Sequence, residues 1–419
     1  MKGPTRRAII MTVLVVAGET VFLLPFVVAR IFRPTFLEVF QLTNLQLGTA
    51  FALYGLVAMG SYFLGGPLAD MFSARKLMAI ALVITSMGGI VFVTIPTLSL
   101  LTFLYGFWGL STILLFWAAL IKATREWGGI QAQGRAYGLL DGGRGLFVAL
   151  LASFSVWVFA LLLPEEVHAA SWLQKKEALI QVIWIYTGLV LSMAVVVWLI
   201  VPEKHTNQSK AKQVISWAGV REILHRPTVW LQAIIVVCAY VGYKATDDFS
   251  LYASDAFGYD DVAAAKIGTI SFWIRPVAAI GAGILADKFS PSKISIASFG
   301  LMMLGSIGIS IGFLKADMFW MLVMIIVTTS LGIYALRGIY FALLQESQIP
   351  LHMTGSAVGL VSLVGFTPDI FMGPLMGYLI DRSPGAAGHQ QVFLVLTIFA
   401  AIGMTAAFLF LHFLRSEKQ

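Results

Sequence analysis

A small set of ionisable side chains stands inside stretches that are otherwise apolar, and these are the residues with chemistry to offer. An ionised group held away from water costs several kcal/mol unless it faces a partner or a wet hollow, so each is a candidate for function. Glu19 has no opposite charge within a helical turn, which makes it a candidate proton carrier. Asp141 and Arg144 are three residues apart, on one face of a helix, and Lys244 and Asp247 repeat that spacing with Asp248 beside them. Each pair reads either as a fixed strut or as part of a site. Arg275 and Arg337 have no carboxylate on their own helix face; a guanidinium can grip a carboxylate or phosphate through two parallel N–H donors. With Arg144 and Lys244 they form the anion-binding set, and the competing reading pairs the arginines across helices with Asp141 or Glu19. Asp141, Asp247 and Asp369 join Glu19 as candidate proton-coupling acids. Trp117 and Tyr340 are candidate walls of a binding hollow, as are Trp108, Trp273 and Tyr334, with plain packing as the alternative for each.

The elements that must position these groups follow from composition. The chain has 419 residues, 59% hydrophobic and 12% charged, against roughly 25% charged in a soluble domain. A soluble fold of this size would expose much of that apolar surface, so most soluble enzymes, disordered chains and disulfide scaffolds are excluded. Twelve apolar stretches, from about 9–31 to about 388–413, are each long enough to cross a bilayer as a helix. The alternation of barrel strands is absent. The expected fold class is an all-α membrane protein of twelve transmembrane helices. The net charge of +7 would suggest nucleic acid in a soluble protein, but here most Lys and Arg fall on one side of the predicted spans. That bias puts both termini in the cytoplasm and leaves no nucleic-acid partner. Arg6 and Arg7 before an apolar run resemble a signal peptide, and the stretches that follow make it an uncleaved first span. A single cysteine, Cys238, offers no disulfide. The six histidines show no metal-ligand spacing, no Walker loop is present, and the glycines around Arg144 lie within an apolar helix. No enzyme, metal or cofactor is expected.

The longest polar stretch, 202–227, separates six spans from six. It is read as a cytoplasmic linker with a short amphipathic helix between a bundle at 1–201 and a bundle at 228–419. The halves read as repeats. Gly66 to Lys76 and Gly283 to Lys293 agree at seven of eleven positions at an offset of 217 residues; Gly134 and Gly138 match Gly355 and Gly359 at an offset of 221. Two matches at nearly one offset imply two pseudo-symmetric six-helix bundles with a path between them. Pro25, Pro276, and the run Gly365, Pro368, Gly373, Pro374 and Gly377 in span 11 mark expected kinks.

The repeated element resembles the signature between spans 2 and 3 of the major facilitator superfamily. Gly66, Leu68, Asp70, Arg75 and Lys76 match it, as do Gly283, Leu285, Asp287 and Lys293; the second glycine of the pattern is replaced by Ser73 and Ser290. A closer resemblance, to a bacterial branch near the organophosphate:phosphate antiporters, rests on Phe40 to Asn44, Gln133 to Arg135, Asp141 to Gly145, Leu336 to Gly338, and Gly365 to Asp369. The resemblance implies the two-bundle fold, a cavity lined by spans 1, 4, 5, 7, 8, 10 and 11, and a gating role for Gly66, Asp70, Arg75, Gly283 and Asp287. It also implies a secondary transporter in a bacterial inner membrane, working as a monomer on a small polar, often anionic metabolite, by proton coupling or exchange. Export of a metabolite or drug is an alternative; drug:proton antiporters of the superfamily usually carry a Gly-Pro motif in span 5, and its absence here weakens the drug reading. A neutral sugar or amino acid as substrate, a channel, and a sensor without flux are the others. Physically, Asp70 can accept hydrogen bonds at a helix N-terminus and pair with a guanidinium, and Gly66 can admit a close neighbour. Asp70→Asn should therefore slow transport strongly while the protein still reaches the membrane; full uptake by well-expressed variant vesicles would refute the latch.

Overall fold

The computed structural model describes residues 3–128, 133–203, 225–315, 317–347 and 354–416. Among them there is no strand, and eleven helices are long and apolar enough to cross a membrane. A bent pair, Thr5–Thr20 and Leu23–Ile31, meets the same test jointly at an angle of 41° and raises the count to twelve. In chain order this pair is span 1. Spans 2 to 6 are Asn44–Ala69, Ala74–Phe92, Leu98–Gly128, Ala136–Leu162 and Trp172–Ile200. Spans 7 to 12 are Pro227–Phe257, Asp261–Phe289, Pro291–Ser310, Phe319–Ile339, Gly359–Arg382 and Ala386–Ser416. The amphipathic piece expected within 202–227 lies outside the described residues. Large apolar side chains such as Leu64, Leu161, Ile284 and Trp320 are exposed along the spans, as a lipid-facing surface requires. Hydroxyls inside the spans bond back to the carbonyl one turn earlier, as Thr20 does to Val16 at 2.6 Å and Thr124 to Leu120 at 2.9 Å. No water is then needed to satisfy them.

The chain divides into two compact units. The first comprises Met1–Thr206, Asp247–Pro276 and Asp369–Gly388; the second comprises Asn207–Thr246, Val277–Pro368 and His389–Gln419. Spans 7, 8 and 11 therefore each pass from one unit to the other. They do so at local irregularities: the 3-10 turn Thr246–Asp248, Pro276 inside span 8, and Pro368 at the restart of span 11. Proline removes a backbone donor and crowds the preceding turn, so a helix bends or breaks there at least cost.

In the first unit, aromatic rings fill the core between the helix Arg33–Phe40, which follows span 1, and spans 3 and 4. Phe36 stacks on Phe40 at 4.3 Å between centroids, and Trp108 stands edge-on to Phe92 and Tyr105. Trp108 is fully buried and donates to the Thr85 carbonyl, so it packs the core and lines no hollow. Span 11 crosses span 2 at backbone distance: a Cβ on Gly48 would strike Gly373, and one on Gly377 would strike Asn44. These glycines, read from sequence as kink sites, are there for close approach; the break itself falls between Gly365 and Pro368. In the second unit, span 9 packs on span 10 by the same device, with Gly305 under Thr329 and Gly332 against Met302.

The two signature loops differ. Ser73 has φ −68° and caps span 3 by accepting from the Lys76 amide. Ser290 has φ +113°, a region that L side chains rarely enter and glycine enters freely. Its neighbour Ser292 is anchored instead, donating its amide and hydroxyl to Glu346 at 2.9 and 2.8 Å. Ser290→Gly should remove about 1 kcal/mol of backbone strain and raise the thermal midpoint of the purified protein; an unchanged or lower midpoint would show that Ser290 carries none.

Candidate functional site

Glu19 sits one residue before the end of the Pro4–Thr20 helix, where span 1 bends. The bend has a covalent cause. Pro25 lies in a π-turn at Leu23–Val27 and cannot donate to the preceding turn. Two guanidiniums converge on the Glu19 carboxylate, one on each oxygen. Arg144 Nε from span 5 donates to Oε2 at 3.0 Å, and Arg275 Nη1 from span 8 donates to Oε1 at 3.1 Å. Asp141 lies at 3.5 Å from Arg275 and 3.9 Å from Arg144. Two acids and two guanidiniums thus stand together here. The side chains of Glu19, Arg144 and Arg275 are 5%, 8% and 4% exposed, whereas Asp141 is 37% exposed and forms the open side of the cluster.

Local backbone features make room for these long cations. A Cβ on Gly18 would come within 3.2 Å of Arg144 Cδ, and one on Gly145 within 3.1 Å of Arg275 Cγ. Both glycines are bare so that a guanidinium stem can lie across the helix. Span 4 contributes Trp117 at the end of a second π-turn, Leu110–Trp117. Its wider winding shifts the side-chain register, and the indole stands 5.4 Å from the Arg144 guanidinium, with Phe22 at 5.7 Å. The sequence reading of Glu19 as a lone carboxylate is corrected: its partners come from spans 5 and 8, which no helical spacing within span 1 could reveal. The alternative reading, arginines pairing across helices with Glu19 and Asp141, is the arrangement found.

The second unit holds Arg337 of span 10 against tyrosines. Its guanidinium lies 3.7 Å from the Tyr243 ring centroid and 5.5 Å from that of Tyr240. Tyr334 meets Tyr243 edge-on, and Tyr240 meets Phe366. Lys244 is buried directly after Tyr243. Tyr340 is buried; its carbonyl accepts from Gln232 at 2.9 Å and its ring stands edge-on to Phe341. Trp273, in the first unit, is 42% exposed and donates to Ser153, which places it at the rim of its helix pair.

A second buried charge network lies at the end of the first unit opposite the N-terminus. Arg30, 3% exposed, forms an ion pair with Asp247. Arg33 donates to the Asp247 carbonyl at 3.4 Å and to Asn44 Oδ1 at 3.1 Å. Asp381 of span 11 accepts from the Asn44 and Leu45 amides at 3.1 and 2.8 Å, capping span 2 from outside its own chain segment. Asp261 bonds Thr35 at 2.6 Å and Lys175 at 3.0 Å, and Lys175 also reaches Glu38. The end of span 1, the helix Arg33–Phe40 that follows it, and spans 2 and 6 are thereby tied to the turn inside span 7, the start of span 8 and the end of span 11. Asp247, expected as a proton-coupling acid, is a member of this clasp; it lies within the 3-10 turn Thr246–Asp248, which interrupts the helical spacing with Lys244. Asp369 is buried in the first turn of Pro368–Arg382, where a carboxylate complements the helix end, and its backbone touches Gly55. Arg30, Arg33, Asp261 and Asp381 were not singled out in the sequence. The available signal was two arginines three apart at the end of an apolar run.

At the N-terminal end, Arg75 and Lys76 share Glu203, the latter at 2.8 Å, and Arg75 lies 5.2 Å from the Trp198 ring. Lys122 donates to the Ala69 carbonyl at 2.5 Å, closing the C-terminus of span 2. The Asp70 side chain lies outside the described residues. The expected close approach at Gly66 is corrected: a Cβ there or at Gly283 meets nothing within 4 Å among the described residues, whereas a Cβ on Gly65 would come within 3.1 Å of the Leu114 carbonyl of span 4. Asp287 is exposed.

Comparison with known proteins gives a consistent result. The model of a family described as the Major Facilitator Superfamily matches residues 8–368. The chain is 27% identical over 380 residues to Inner membrane protein YqcE of Escherichia coli (strain K12), covering 88% of this chain and 86% of that protein. Among solved structures it is similar to a bacterial homolog of the human lysosomal transporter Spinster, in its inward-facing and unoccupied conformation. The TM-score is 0.71 at 15% identity, covering 98% of this chain and 99% of the other. A variant of the nucleoside transporter NupG gives a TM-score of 0.71 at 14% identity, with 97% and 99% covered.

The clasp generates a stability test. Asp247→Ala leaves the buried Arg30 without its carboxylate and should destabilise the protein by about 3–5 kcal/mol. The apolar double replacement Arg30→Met with Asp247→Leu should recover most of that loss in denaturant titrations of the detergent-solubilised protein. A double variant as unstable as Asp247→Ala would show that the pair does not act as a unit.

Proposed function

The chain belongs to the major facilitator superfamily, and from that premise we propose that it carries a small polar anion across a bacterial inner membrane by alternating access. Membership makes it a multi-pass membrane transporter rather than an enzyme. One observation carries the substrate reading: two buried guanidiniums, from spans 5 and 8, meet at one carboxylate of span 1 beside the open Asp141. A scaffold would gain nothing from four such charges at bilayer depth, while a carrier needs groups that bind and release. Within the second unit, Arg337 with its tyrosines, Lys244 and Tyr340 are the proposed substrate-binding residues, and within the first unit Trp117 is proposed as an aromatic wall beside Arg144.

The proposed motion is a rocking of a bundle at 1–201 against one at 228–419, driven by the proton gradient or by exchange of a second solute. Opening the clasp of Arg30, Arg33, Asp247, Asp261 and Asp381 would release the ends of spans 7, 8 and 11, with Thr246–Asp248, Pro276 and Pro368 as hinges. Arg75 with Glu203, and Asp70, Gly66, Gly283 and Asp287, would act at the cytoplasmic end, where the positive-inside bias places both termini. The similarity to a protein named for the inner membrane supports the location.

A second reading is favoured by the balance of two acids and two guanidiniums: a neutral or zwitterionic solute, such as a sugar or amino acid, would leave the pairs intact. Counterflow in proteoliposomes, with labelled organic acids, phosphate esters, sugars and amino acids, distinguishes the two. Saturable counterflow of acids or esters supports the anion, and of sugars or amino acids alone refutes it. Arg144→Lys and Arg275→Lys, which keep the charge but lose the planar fork, should each lower anion uptake at least tenfold. Unchanged uptake by either would remove that residue from the site.

A further inference from the structure

A cavity of about 600 Å³ lies in the first unit, between the starts of spans 1 and 3, the end of span 4 and the residues that follow span 6. Arg6, Arg7 and Ile10 line it from span 1, Glu126 and Trp127 from span 4, and Val201 from beyond span 6. At 1.5 Å per residue, Arg6 stands about 20 Å along the helix from Glu19, so this hollow is separate from the buried carboxylate cluster. Its size is that of a small-ligand site. We propose that it binds a phosphate group at the membrane surface: the headgroup of an anionic glycerophospholipid, held irrespective of what the carrier moves.

The two arginines have different tasks. The Arg7 guanidinium donates to the Trp127 carbonyl at 2.9 Å, and Trp127 Nε1 donates back to the Arg7 carbonyl at 2.6 Å. The guanidinium also lies 5.1 Å from the centre of the indole ring. This reciprocal lock joins the start of span 1 to the end of span 4 and fixes one wall. Arg6 next to it is exposed and has no hydrogen-bond or ion-pair partner among the described residues. Its paired N–H donors are therefore available to two oxygens of one phosphate. The field around the hollow favours an anion. Among the described residues on its lining or adjoining it in sequence, Arg6, Arg7, Arg75, Lys122 and Arg125 stand against Glu126 and Glu203. The remaining walls point to a lipid as the source of that phosphate. Ile10 and Val201 are apolar, and Trp198 and Leu199, 46% and 73% exposed, bring the lipid-facing surface of span 6 to within two residues of the cavity. A phosphate joined to acyl chains satisfies the cations and the apolar approach together, whereas a soluble phosphate uses the cations alone. Trp127 and Trp198 are at the depth where indoles concentrate, between acyl chains and water. The positive-inside bias puts this end in the cytoplasm, and the cytoplasmic leaflet is the one whose anionic headgroups basic pockets between spans bind.

The probes are dihexanoyl phosphatidylglycerol, dihexanoyl phosphatidylcholine and glycerol phosphate, titrated by calorimetry against the full-length protein in a non-ionic detergent. Wild-type protein should bind the phosphatidylglycerol saturably and at least tenfold more tightly than the phosphatidylcholine. Arg6→Gln should weaken that binding about tenfold, the loss of one charge-assisted contact. Arg6→Lys, which keeps the charge without the paired donors, should fall in between, and decides alone if Arg6→Gln does not fold. Arg415→Gln, which removes an exposed arginine at the end of span 12, should bind as wild type does. Glycerol phosphate, which has the phosphate and no acyl chains, should not displace the lipid. Equal affinity for the two lipids, unchanged binding by the folded Arg6 variants, or an equal loss in Arg415→Gln overturns the proposal. Displacement by glycerol phosphate would reassign the cavity to a soluble phosphate and overturn the lipid.

Discussion

The constraint that governs this molecule is that an ionised group away from water must find its opposite. Glu19, Arg144 and Arg275 satisfy it together, and much of the surrounding backbone exists to let them. Gly18 and Gly145 are bare where the arginine stems cross. Pro25 and the π-turns bend span 1 and re-aim Trp117. None of these features stabilises a helix in isolation; each costs something locally and is repaid by a charge brought to its partner.

The same rule is met differently along the length of the first unit. At the N-terminal end the cations are partly exposed and share Glu203 or take helix carbonyls. At the opposite end, buried Arg33 donates to the Asp247 carbonyl, and exposed Asp381 accepts from backbone amides and so caps a helix from another span. In the middle Glu19 pairs with the side chains of Arg144 and Arg275, and Asp141 stays partly exposed. Bonds to backbone fix geometry, whereas side-chain pairs can exchange partners without unwinding a helix.

The two signature loops show how repeats drift. Both copies replace the pattern's second glycine by serine, yet only Ser290 is left at positive φ, while Ser73 has found a capping role. The second loop compensates through Glu346, which holds the helix start that Ser290 does not cap. An identical substitution thus has a structural consequence in one copy and a useful one in the other.

Span number, the near absence of structure other than helix, and the family were legible in the sequence because hydropathy over about twenty residues is a local property. So was the need of Glu19, Asp141, Arg144 and Arg275 for partners, since a charge in an apolar run stands out without any fold. What could not be read was who meets whom. Glu19 takes partners more than a hundred positions away, and Arg30 finds Asp247 across most of the chain. A sequence determines which groups need a partner; only the tertiary packing of spans decides which one is within the few ångströms over which an ion pair forms.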